Sequence, residues 1–138
     1  MDAVMESLQG LGAFALYFSI SLVALVVFKF LYTLVTPHDE WALVKEQKNT
    51  AAALGLGGAV LGFSIALAGA ASNAVDLIDF GVWAIVALIA QVVAFALVRF
   101  IYMPKIVTRI ENDEVSAGIV LAGISIAIGI LNAACMTY

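Results

Sequence analysis

Most polar residues in this chain lie in its amino terminus and three connections, and four long apolar runs lie between them. The runs extend from about Leu11 to Leu34, Ala51 to Ala71, Phe80 to Ile101 and Val115 to Met136. Crossing a hydrocarbon core about 30 Å thick takes roughly 20 helical residues, so each run is long enough to span. Their interiors lack strict alternation and closely spaced turn residues, which predicts helices rather than barrel strands. The leading segment MDAVMESLQGLG carries acids where a secretory signal needs bases, so the first run is expected to be a retained span.

Composition agrees with that pattern. Of 138 residues, 64% are hydrophobic and 12% charged, and the mean hydropathy is +1.12. A water-soluble chain of this size cannot hide so much apolar surface in one core, so the excess must meet lipid. The net charge of −4 leaves no basic stripe for a polyanion, which argues against a nucleic-acid partner.

The cations predict an orientation. Lys29, Lys45 and Lys48 flank the first connection, and Arg99, Lys105 and Arg109 flank the third; together they are all 6 Lys and Arg residues. The amino terminus and the second connection, SNAVDLID, offer only Asp2, Glu6, Asp76 and Asp79. The positive-inside rule then places both longer loops in the cytoplasm and both termini in the periplasm of a bacterial inner membrane.

A word is also written twice: FKFLY at 28–32 and VRFIY at 98–102. At an offset of 70, Val23, Ala24, Lys29, Phe30 and Tyr32 lie over Val93, Ala94, Arg99, Phe100 and Tyr102. Beyond the loop the best offset is 65, where Glu46, Ala52, Leu56, Gly58, Ile65 and Ala68 lie over Glu111, Ala117, Leu121, Gly123, Ile130 and Ala133. The expected fold is therefore an all-α integral membrane protein of four transmembrane helices. These form two tandem helical-hairpin repeats, 1–73 and 74–138, both starting outside and related by an axis along the membrane normal.

FKFLY/VRFIY, together with the glycine-bearing second helices GLGGAVLGFSIA and GIVLAGISIAIG, resembles a bacterial inner-membrane family known as domain of unknown function three-five-zero. The resemblance covers essentially the whole chain. It implies a membrane location and two copies of a two-helix unit, and it brings no activity or catalytic residue. It also hints at partners, since some relatives are thought to be encoded beside a phage-shock-like membrane-stress protein and an ATP-grasp ligase.

Several residues are candidates for a functional role. Lys29 and Arg99 are expected at cytoplasmic helix ends, snorkelling to the headgroups with Tyr32 and Tyr102 in the interfacial belt. The sharper reading pairs them with Glu46 and Glu111 as charge pairs. Gln91 and Ser21 occupy equivalent positions deep in their spans and form a candidate polar seam, with Ser64, Ser125 and Asn132 as further members. Serine can bond its own helix backbone, whereas a primary amide cannot satisfy itself that way, so Gln91 ranks first. Gly58, Gly62, Ala66 and Ala70 recur at four-residue intervals, as do Ser125, Gly129 and Ala133, and Gly123 with Ala127. Small residues at this spacing let helix backbones approach closely, within a subunit or between subunits of a homo-oligomer.

The loops PHDEWALVKEQKN and MPKIVTRIENDE read as short amphipathic segments lying on the inner surface, and Pro37 and Pro104 are expected to end or bend the spans that precede them. Asn49 and the Asn112–Asp113–Glu114 cluster are expected to cap the second and fourth spans. His38 is the lone histidine and Cys135 the lone cysteine, expected to be buried. No metal, cofactor or catalytic group is expected. Two function classes remain: an oligomeric passive channel for an ion or small solute, and a membrane scaffold or partner subunit that presents its cytoplasmic loops to another protein.

Overall fold

The computed structural model describes residues 2–36 and 40–136; Pro37 and His38 lie outside them. Its elements are α1 (Asp2–Val35), α2 (Glu40–Lys45), α3 (Thr50–Asn73), α4 (Leu77–Leu97, continued by a π-helical turn Val98–Tyr102), α5 (Ile106–Glu111) and α6 (Val115–Ala134). Among the described residues there is no strand. Four helices, α1, α3, α4 with its π turn, and α6, are long and apolar enough to cross a membrane. α1 and α4 run one way and α3 and α6 the other. The short α2 and α5 therefore lie at one end of the bundle, here called the loop end.

The organising contact is α3 against α6. Gly58 lies on Ala122, Gly62 on Ser125 and Gly129, Gly69 on Ala133, and Gly118 on Ala51. These partners are 63 to 67 positions apart, so the two helices run parallel and in step along most of their length. Backbones meet because no side chain stands between them: a Cβ at Gly62 or Gly129 would collide with the main chain of the facing helix. Lipid tails are as apolar as leucine, so close backbone contact and the dispersion it brings drive helix association in a bilayer. Gly58, Gly62, Ala66 and Ala70 are all buried, as are Ser125 and Gly129. Gly123 differs: it is exposed, with nothing within 4 Å of a Cβ added there. The packing face of α6 runs through Ala122 and Ser125, which turns Gly123 and Ala127 outward.

α4 closes the other side of this pair, and α1 lies outermost, joined by aromatic rings. Tyr17 meets Phe80 at 5.2 Å, Phe28 stacks on Phe63 at 4.4 Å, and Tyr32 meets Phe95 edge-on at 6.2 Å. The contacts of α1 with α4 are 63 positions apart at both ends, which fixes the relative register of the two helices. The expected equivalence of Lys29 with Arg99 is therefore not one of depth. Lys29 is level with Val92, seven residues or about 10 Å further from the loop end than Arg99. The doubled word is used differently too. Phe28 and Tyr32 are 1% and 0% exposed in regular helix, so Tyr32 is a core residue and not an interfacial one. VRFIY forms the π turn, closed by Met103 N donating to Val98 O at 2.7 Å, and its Tyr102 is exposed.

α1 begins at Asp2, well before the expected start of the span, and its 34 residues run about 50 Å. The side chains of residues 2–16 are all exposed, because Phe80 near the start of α4 is already level with Tyr17.

Replacing Gly62 or Gly129 with Leu should cost about 1–3 kcal/mol or more of stability, because a side chain there wedges α3 from α6. Gly123→Leu should leave thermal unfolding in nanodiscs unchanged. Equal effects at Gly123 and Gly129 would reverse the assignment of the packed face.

Candidate functional site

Two polar places stand out, one at mid-bundle and one at the loop end. At mid-bundle, Gln91 on α4 is fully buried, and its Nε2 donates to Ser125 O on α6 at 3.0 Å. The bond forms where Gly62 leaves room, since a Cβ there would meet the Gln91 amide at 2.7 Å. Ser125 is also fully buried. Gln91 Oε1, Ser125 Oγ and Asn132 Nδ2 are buried without a hydrogen-bond partner. Each such group costs about 1–3 kcal/mol if left unmet. Asn132 lies seven residues from Ser125 on α6, so both fall on the same face, about 10 Å apart along the axis. Towards the loop end the same face is closed by Leu56 and Leu121, which are 7% and 0% exposed.

Ser21 does not join this cluster. Its Oγ donates to Tyr17 O of its own helix at 2.7 Å, and it lines a groove between α1 and α3 beside Ser64. Ser64 likewise bonds its own backbone, at Val60 O. The expected seam of Gln91 with Ser21 is thus replaced by Gln91 with Ser125. The shifted register of α1 moves Ser21 away from the depth that the repeat assigns it.

The expected charge pairs do not form either. Among the described residues Lys29 and Arg99 make no ion pair, and Glu46 and Glu111 are exposed. Lys29 Nζ instead sits 4.4 Å from the ring centres of both Phe30 and Trp41, and Arg99 lies over Phe100 at 5.4 Å. A ring face attracts a cation through its quadrupole and requires no second desolvated charge, which suits a lysine held this deep. Arg109 does form an ion pair, with Glu114 at 3.0 Å.

At the loop end the two longer connections are tied together. Asn49, 4% exposed, accepts from Ala52 N at 2.8 Å and so caps α3, while its Nδ2 donates to Ile110 O of α5 at 2.7 Å. Asp113 does not cap α6, as the sequence suggested. Its Oδ1 accepts from Ala51 N at 2.9 Å, so it caps α3 across the bundle. Lys48 and Asp113 both take left-handed backbone, with φ of 53° and 57°. A non-glycine residue pays about 1–2 kcal/mol for that conformation, which the caps that follow offset. Ile106 and Ile110 are fully buried, so α5 seals the bundle end instead of lying on a lipid surface. Cys135, at the far end, is exposed.

Sequence reasoning missed the role of Asp113 because its partner is 62 residues away. Asn49→Ala should remove both the cap and the tie, lowering stability by about 1–3 kcal/mol. Glu111→Ala, at an exposed site, should stay within about 0.5 kcal/mol. Indistinguishable unfolding curves for the two variants would mean that the loops are not locked.

The mid-bundle cluster and the locked loops belong to a chain with several similar proteins. Escherichia coli strain K12 has one named UPF0719 inner membrane protein YjfL, 43% identical over 134 residues, covering 97% of this chain and all of that protein. Its namesake in E. coli O157:H7 matches equally. A Bacillus subtilis protein named UPF0719 transmembrane protein YshE is 26% identical over 121 residues, covering 87% of this chain and 90% of that one. No solved structure matches. A family model described as Domain of Unknown Function (DUF350) matches residues 5–136. This all-α integral membrane protein therefore belongs to the DUF350 family.

Proposed function

We propose that the protein is a non-enzymatic membrane scaffold, a partner subunit of the inner membrane that presents its two longer loops to another protein in the cytoplasm. The observation that carries this is the lock at the loop end, Asn49 to Ile110 and Ala51 to Asp113. It fuses two short connections into one ordered face bearing exposed Lys45, Glu46, Gln47 and Lys48 beside Glu111, Asn112 and Asp113. Each loop alone offers little area, and a pre-ordered pair removes much of the ordering cost of binding. All the cations flank these two connections, which supports a cytoplasmic loop end and periplasmic termini. The in-step α3 and α6, and left-handed residues 65 positions apart, support two tandem units. The offset register of α1 makes those units unequal.

A second reading, a passive conduit, rests on the unpartnered polar atoms of Gln91, Ser125 and Asn132. In it the apolar residues Leu56 and Leu121 form a closed gate on the loop side.

One set of experiments separates the two. A photo-crosslinking side chain at Lys45 or Glu111 in native membranes should give a discrete adduct with a cytosolic-side protein, weakened by Asn49→Ala, and the same group at Ser72 should not. Liposomes holding the purified chain should show no ion or small-solute flux. Flux that disappears in Gln91→Leu, with no adduct from either loop, would favour the conduit. A membrane-impermeant label that reaches a cysteine at Lys105 from the periplasmic side would contradict the orientation itself.

A further inference from the structure

The register of α1 leaves a part of the helix that the bundle does not use. Residues 2–16 are exposed on every side, and they extend beyond the level of Tyr17 and Phe80 by about 20 Å. The exposed apolar residues there include Met5, Phe14 and Leu16, and one further set is regularly spaced. Val4, Leu8, Leu11, Ala15, Phe18 and Leu22 alternate steps of four and three, the 3.5-residue repeat of a coiled-coil seam. In the first part of the run this spacing is informative, because Asp2, Glu6, Ser7 and Gln9 interrupt it with polar residues that all avoid the seam. Val4, Leu8 and Leu11 are 59%, 57% and 61% exposed.

We propose that this seam pairs with the same helix of a second copy, forming a parallel coiled coil that begins outside the bundle and continues to Leu22. Three features select a second copy. A coiled-coil knob needs a facing helix of the same period, and α1 carries that period itself. Two copies inserted in one orientation present their α1 helices in parallel. The charges also permit it: Asp2, Glu6 and Gln9 fall at the outermost positions of the heptad, and the flanking positions hold Met5, Ser7, Gly12 and Phe14, none of them charged. Acids at the flanks would repel across a parallel pair; here they point away from it. This inference goes beyond the scaffold reading and does not depend on it.

Disulfide trapping in native membranes tests the proposal, in a Cys135→Ser background that removes the exposed native thiol. Leu8→Cys and Leu11→Cys should each cross-link to a dimer at least about tenfold faster than Glu6→Cys on the opposite side of the helix. Cysteine is a small change, and residues 2–16 are exposed, so insertion should be unaffected. Cross-linking as fast at Glu6 as at Leu11, or absent at all three positions, would overturn the proposal. As a second measurement, Leu8→Glu should halve the particle mass in mild detergent; unchanged mass would also overturn it.

Discussion

Everything in this bundle depends on the backbone contact between α3 and α6. In water, burial of apolar area would hold two such helices together, but a bilayer offers no comparable drive. What remains is the dispersion gained when main chains touch, and Gly58, Gly62, Gly118 and Gly129 make that touch possible. The contact also creates the space in which Gln91 reaches Ser125 O, since the amide lies where a Gly62 side chain would be. At the loop end, keeping α3 and α6 in step brings Asp113 to the first turn of α3. Mid-bundle polarity and loop order are both consequences of one glycine-lined seam.

The same contact explains why α1 is peripheral. With α3 and α6 touching and α4 covering them, the tightest positions are taken, and α1 attaches through the ring pairs of Tyr17, Phe28 and Tyr32. Bulky rings set register by fitting into gaps, with no regard for the sequence equivalence of Lys29 and Arg99. Lys29 is set about seven residues off the level of Arg99, and Phe30 with Trp41 of α2 receive its charge. The amino-terminal turns are pushed beyond the bundle in the opposite direction.

Much of the fold was legible in the chain, because its physics is one-dimensional. Apolar length gives spans, and small residues at four-residue spacing give the packed face of α3 through Gly58, Gly62, Ala66 and Ala70. What failed depended on the relative placement of separate helices. Gly123 repeats Gly58 in sequence but faces outward, because a face is defined by its partner and not by its own spacing. Gln91 was identifiable as a buried amide, yet its neighbour is Ser125 and not Ser21, since the α1 register cannot be read from an alignment of the two halves. The cross-bundle cap by Asp113 was equally hidden; an acid before a helix reads as that helix's own cap.

The most direct test of this account is magic-angle-spinning NMR of the glycine-labelled protein in lipid bilayers, which perturbs no side chain. The glycine-mediated seam predicts a strong through-space correlation between the α-carbons of Gly62 and Gly129, which face one another. A missing Gly62–Gly129 correlation in a well-resolved spectrum would contradict the packing on which the rest of the structure depends.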